Sequence, residues 1–181
     1  EGSDTPLWTV DGSGTYGGTG EGLVLTSSGT SLSALDSQTG KRLWTQSQLP
    51  LSGGSVLPSG HIFAGLVDNG FSSGIAVLDA RTGQLTWRLD HDGRDQVLTI
   101  PGTTGLLHYV NGRELRRLEL ATGKELMSAD ISAQTSGASS VIMTLSGDAI
   151  LLLVEHGGSS AVGGTSKGVV YGLADLKLRW E

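Results

Sequence analysis

Apolar residues along this chain come in short runs, each cut off by Gly, Ser, Asn or Asp. Serine alternates with apolar residues over Ser31-Leu32-Ser33-Ala34-Leu35, the period-two mark of a half-buried strand. Leu23-Val24-Leu25-Thr26, Ser55-Val56-Leu57-Pro58 and residues 61–67, 96–100, 106–110, 140–145 and 149–155 also read as strands. Asn111-Gly112, between two such runs, is the signature of a type I′ hairpin. Residues 11–22, rich in Gly, Ser and Thr, read as a linking loop, and 68–74 as a long turn. Long amphipathic helical patterns are absent, and 29 glycines disfavour helices. The pattern predicts an all-β chain.

One stretch recurs. Ala34-Leu35-Asp36-Ser37-Gln38-Thr39-Gly40-Lys41-Arg42-Leu43-Trp44 returns as Val77-Leu78-Asp79-Ala80-Arg81-Thr82-Gly83-Gln84-Leu85-Thr86-Trp87. A third copy, 117–127, carries Glu119 for Asp and Met127 for Trp. A shortened echo, 173–180, lacks Thr-Gly and ends in Trp180, and Pro6-Leu7-Trp8 reads as the tail of an earlier copy, on a strand around residues 7–10. The carboxylates of Asp36 and Asp79 suit an Asx-type turn. Gly40, Gly83 and Gly123 stand where the turn needs positive φ. The closing Trp is expected to pack on the equivalent turn of the next unit, burying ~150–250 Å². The intervals between Trp8, Trp44, Trp87, Met127 and Trp180 are 36, 43, 40 and 53 residues. A period of about 40–45 residues with strand patterning predicts a β-propeller of four-stranded antiparallel blades. The blades fall at roughly 11–49, 50–91, 92–132 and 133–181, with 1–10 as the outer strand of a preceding blade.

Leu-Asp-x-x-Thr-Gly-x-x-x-Trp, as it stands at 35–44 and 78–87, resembles the tryptophan-docking repeat of the quinoprotein-type (PQQ-like) β-propellers. That superfamily spans quinone-dependent dehydrogenases, an outer-membrane assembly lipoprotein and non-catalytic binding or sensor domains. The resemblance covers nearly the whole chain. A WD-type propeller is disfavoured, because no Gly-His…Trp-Asp pattern occurs. The dehydrogenases of the superfamily hold quinone and calcium with a catalytic Asp, and many add an adjacent-cysteine disulfide. This chain has no cysteine, and no catalytic Asp or calcium-binding set matches residue by residue. The resemblance implies no cofactor and no catalytic or metal-binding residue here. Asp36, Gly40, Trp44, Asp79, Gly83, Trp87, Gly123 and Trp180 are structural repeat positions.

Composition narrows the function further. With 181 residues, a net charge of −6 and only 17% charged residues, the chain is unsuited to general nucleic-acid or anionic-membrane binding. The longest apolar run, 149–154, suits a buried strand and is too short to span a bilayer. The start at Glu1 reads as a mature or trimmed chain with no signal peptide. No Asn-x-Ser/Thr acceptor occurs.

Other candidate chemistry is weak. His61, His91, His108 and His156 lack metal-ligand spacing and read as packing or rim residues. Asp90-His91-Asp92-Gly93-Arg94-Asp95 matches a calcium loop poorly and reads as a solvated turn. The glycine-rich 11–20 lacks the Lys-Ser/Thr of a phosphate loop, and the serine pairs lack a nucleophile elbow. Arg113, Arg116 and Arg117 read as a solvated strand face, and 157–164 as a hairpin tip.

The strand at Trp8 is left over once each blade owns its outer strand, so the chain reads as about half of a seven- or eight-bladed ring. A self-contained four-bladed ring is the alternative. The expected function is a non-catalytic binding or scaffold module, part of a larger extracytoplasmic bacterial protein, with a protein partner or a second copy completing the ring. A fragment of a quinone-dependent dehydrogenase and a ligand-sensing domain of a membrane protein or kinase are the alternatives. Neither nucleic acid nor direct membrane insertion is expected.

Overall fold

The computed structural model describes residues 8–9, 15–91, 95–157 and 164–181. Their strands form four antiparallel sheets, each a simple meander of four. The first holds β1 (Thr15–Gly20), β2 (Leu23–Ser28), β3 (Ser31–Asp36) and β4 (Arg42–Gln46). The second holds β5 (Leu51–Leu57), β6 (His61–Asp68), β7 (Phe71–Asp79) and β8 (Leu85–Asp90). The third holds β9 (Gln96–Thr99), β10 (Gly105–Val110), β11 (Glu114–Glu119) and β12 (Glu125–Asp130). A single helical turn, α1 (Ser132–Thr135), leads into β13 (Ser140–Ser146), β14 (Ala149–His156), β15 (Thr165–Gly172) and β16 (Leu178–Trp180). The fold is that of β-propeller blades. Two compact units divide the chain, Glu1–Gly93 and Arg94–Glu181, with two sheets in each.

In the first unit, Leu23, Leu25, Leu32 and Ala34 pack against Leu51, Ile62, Ala64, Leu66, Ala76 and Leu78 of the second sheet. Alternation sets this up: along β6 every second residue, Ile62, Ala64 and Leu66, is buried. The second unit repeats the plan. Leu107, Tyr109 and Leu115 meet Met143, Ile150, Leu152, Val154, Val169 and Tyr171. Here the Gln96 side chain bridges the sheets: its amide N–H donates to the Val141 carbonyl, and its Oε1 accepts from the Met143 N–H at 2.9 Å.

The structure corrects several sequence expectations. Residues 15–20 are not part of a linking loop but the first strand, paired with β2. Glycine serves close approach there: a Cβ on Gly20 would sit 3.1 Å from Val56 Cβ, and one on Gly18 3.0 Å from the Gly54 carbonyl. The expected long turn at 68–74 is a tight hairpin. Asn69 and Gly70 both take positive φ, 49° and 84°, and β7 starts at Phe71. Gly74, at the register shift of this ladder, absorbs the irregularity.

The last repeat is substituted rather than shortened. Its backbone bonds, Gly172 N–H to Lys177 O at 2.9 Å and Leu176 N–H to Gly172 O at 2.9 Å, copy Asp36 N–H to Lys41 O and Gly40 N–H to Asp36 O, both 2.8 Å. Gly172 therefore stands at the Asp position, Asp175 at the Thr position and Leu176, with φ 51°, at the Gly position. Of the strand expected around 7–10, Trp8 and Thr9 are described, outside any strand; 7 and 10 lie outside the described residues. So do 11–14, 92–94 of the acidic cluster and 158–163 of the expected hairpin tip.

Candidate functional site

The recurring turns are built by one carboxylate oxygen. Asp36 Oδ1 accepts from the Thr39 N–H and hydroxyl, both at 2.7 Å, and from the Gln38 N–H at 3.1 Å. Asp79 Oδ1 repeats the set with the Thr82 N–H and hydroxyl at 2.8 Å and the Arg81 N–H at 3.1 Å. The threonine hydroxyl, then its backbone N–H, holds each carboxyl below the usual range. The third turn keeps the arrangement in part: the Thr122 hydroxyl donates to Glu119, and Gly123 has φ 70°. These groups are lowered in the folded state, so their contribution is complete above the unfolded carboxylate pKa of about 4 and is lost as pH falls through the folded values. Acid titration should therefore destabilise the fold only below about pH 4. Thr82→Ala should shift that acid transition upward, as followed by circular dichroism.

A tryptophan lies over each of the first two turns. The Trp8 indole N–H donates to the Ser37 carbonyl at 2.9 Å, and the Trp44 indole N–H to the Ala80 carbonyl at 3.0 Å. A Cβ on Gly40 would fall 2.7 Å from the Trp8 ring, and one on Gly83 2.5 Å from the Trp44 ring. Glycine thus serves both the positive φ, 69° and 70°, and the flat seat of the ring. Gln46 adds a bond from its side-chain amide to the Gly83 carbonyl at 3.1 Å. Trp87 is half-buried at the matching place on β8. Met127 replaces the Trp on β12 and packs on the core cluster that contains Leu176. The ring and the turn glycine of the earlier pairs are thus both replaced by aliphatic side chains in the second unit, Met127 on the strand and Leu176 in the turn.

Trp180 is different. Register places it beside Val170, which pairs with Leu151, and Leu153 pairs with Ile142 and Gly168 on the same side. In the first sheet the corresponding row is Trp44, Ala34, Leu25, and it is buried against the second sheet. On the last sheet this side is open: Trp180 is 62% exposed, Ile142 51%, Leu153 38% and Leu151 36%. The opposite side, with Met143, Leu152 and Val169, is the one that packs on β10 and β11.

The model of one family, the outer membrane protein assembly factor BamB with its PQQ-like repeats, matches residues 2–89 and 72–181. The chain belongs to this family. Among solved structures, BamB from Moraxella catarrhalis is similar at 13% identity and TM-score 0.59, over 90% of this chain and 47% of that one. The computationally designed Ika8 protein matches at 16% identity and TM-score 0.55, over 88% of this chain and 46% of that one. The designed Ika4 protein matches at 15% identity and TM-score 0.59, over 93% of this chain and 98% of that one. At these identities the likeness shows the fold. The chain spans about half the length of the BamB and Ika8 chains. No protein of curated function matches it.

Other sites in this BamB-like chain are less developed. Asp95 corrects the reading of 90–95 as a solvated turn. It is buried, and its Oδ2 lies 2.9 Å from His108 Nε2 while Oδ1 accepts the Asn111 N–H at 2.9 Å. This pair orients the Asn111–Gly112 hairpin from within. His108 lies in the sheet interior as a packing residue. His61 is tied to Ser59 and His156 to the Ser136 carbonyl. Arg116 pairs with Glu114 at 2.7 Å, the bond that raises its pKa most. A polar groove of about 1280 Å³ is lined by Asn111, Arg113, Glu114, Asp130 and the 135–140 segment. Among the described residues no group of three or more His, Asp or Glu could hold a metal. The Oδ1 atoms of Asp36 and Asp79 are engaged by their own turns.

Proposed function

We propose that this chain is a non-catalytic protein-binding module, built of PQQ-like blades and acting within a larger extracytoplasmic assembly. The observation that carries the proposal is the open apolar face of Ile142, Leu151, Leu153 and Trp180. The first sheet buries the same positions against its neighbour, and an exposed apolar set of this kind suits an anchor for a polypeptide. Similarity to BamB supports an extracytoplasmic setting, and no helix among the described residues is long and apolar enough to cross a membrane. The polar groove beside Arg113 and Asp130 favours a second reading, a small-ligand sensor.

The test is native affinity capture with the chain as bait, comparing the unmodified protein with Leu153→Asp. A charge at the centre of the face should release a stoichiometric protein partner while leaving the melting temperature nearly unchanged. Retention of the same partner by both proteins would refute this surface. Saturable small-molecule binding abolished by Arg113→Ala would favour the sensor.

A further inference from the structure

We infer that the groove between the Asn111–Gly112 hairpin and the 130–140 connection takes a short free peptide, with its carboxylate on Arg113 and its amino end on Asp130. The inference rests on the second reading above, the groove as a small-ligand site, and names the class of ligand.

The groove lies wholly within the second unit. Some of its polar groups are already engaged and build its walls. The Thr135 hydroxyl donates to the Gly112 carbonyl, the Ser139 hydroxyl to the Glu155 carbonyl at 3.0 Å, and Glu114 holds Arg116. Tyr109 is not engaged in this way. It is 4% exposed and part of the core cluster, yet its hydroxyl makes no hydrogen bond among the described residues. A phenol buried without a partner is costly unless something meets it. Its hydroxyl reaches the groove wall beside Gly112, where a Cβ would stand 3.2 Å from it. Glycine at 112 therefore leaves the hydroxyl uncovered. Burial, then the charge of Asp95, raises the Tyr109 pKa, so the phenol stays a neutral donor.

The charges of the groove set the ligand. Arg113 and Asp130 both line it, and neither belongs to an ion pair among the described residues. The Ser132 hydroxyl, then its N–H, holds the Asp130 carboxyl below the usual range, and Arg113 adds to this by its charge. Both groups are thus ionised at neutral pH without being joined. A ligand of one sign would satisfy one of them and oppose the other; a ligand with a charge of each sign, held apart, satisfies both. A free peptide carries that pair at its ends, and the guanidinium fork matches a carboxylate. Asn111, Ser136 and Ser140 offer amide and hydroxyl groups to the peptide main chain. The volume of about 1280 Å³ exceeds the ~300–1,000 Å³ of ordinary small-ligand pockets, which favours several residues over a single amino acid. Tyr109 gives its hydroxyl and keeps its ring in the core, so it supplies no stacking face for a sugar.

Isothermal titration with trialanine and with a pool of Ala-Xaa-Ala tripeptides tests this. Saturable binding is expected, and the N-acetylated and C-amidated forms should each bind about tenfold more weakly, the scale of one lost charge-assisted bond. Arg113→Gln should erase the preference for the free carboxylate over the amide. Asp130→Asn, which keeps an acceptor for the Ser132 N–H, should erase the preference for the free amine. Tyr109→Phe should weaken binding severalfold without lowering the melting temperature, since its hydroxyl has no partner to lose. No saturable binding of either probe, capped peptides that bind as well as free ones, or a Tyr109→Phe variant that melts lower with unchanged affinity would overturn the inference. If maltotriose binds instead, and Arg113→Ala abolishes that binding, the small-ligand reading stands and only the peptide is refuted.

Discussion

Replacing Trp44 by alanine should cost the first unit about 3 kcal/mol, near the lower end of what truncating a large buried aromatic costs. The ring is half-buried, not fully enclosed, which sets the lower end. Its loss leaves a void over Gly83 and orphans the Ala80 carbonyl that accepts the indole N–H at 3.0 Å. Denaturant unfolding followed by circular dichroism gives the number. Trp44→Phe should recover most of the packing and none of the hydrogen bond. A cost within ~0.5 kcal/mol for alanine, the range of an ordinary surface substitution, would mean the ring does not hold the two sheets together.

The second large effect is expected from Gly83→Leu. A Cβ there meets the Trp44 ring at 2.5 Å, and the φ of 70° strains any branched-chain substituent. Ring displacement and backbone strain together should cost on the order of 3 kcal/mol. In the second unit Met127 stands at the ring position and Leu176 at the glycine position of the repeat. Combining Gly83→Leu with Trp44→Met should therefore recover a coupling energy of about 1–2 kcal/mol relative to the sum of the single variants. Strict additivity would mean that seat and anchor do not act as a pair.

The repeat made the fold class legible because each copy states its geometry in few residues. Asp, Thr and Gly are at fixed offsets because one carboxylate must reach two backbone N–H groups and one hydroxyl. The inner strands were harder. Thr15–Gly20 is rich in glycine and threonine, which reads locally as loop, and of Leu51–Leu57 only the end from Ser55 read as a strand. Their strand state comes from neighbouring sheets that approach at Gly18 and Gly20, a contact invisible to a local pattern. The hairpin at Asn69-Gly70 was available from its dipeptide alone, yet the serine-rich flank that follows masked it. The last turn was read as truncated because its three signature residues are substituted, Gly172 for Asp, Asp175 for Thr and Leu176 for Gly, while backbone bonding conserves its length. The buried Asp95–His108 pair had no sequence signal, because its partners are brought together only by pairing β9 with β10. The open face was legible least of all. Ile142, Leu151 and Leu153 look like core residues, and only register shows that they lie on the side away from the neighbouring sheet.

The most direct measurement is oxidative footprinting of the individual tryptophans in the isolated chain, read by mass spectrometry. Trp8 and Trp44 should be protected by their seats, and Trp180 should oxidise fastest. Equal protection of Trp180 and Trp44 would contradict the account, since the face proposed to bind a protein partner would already be covered.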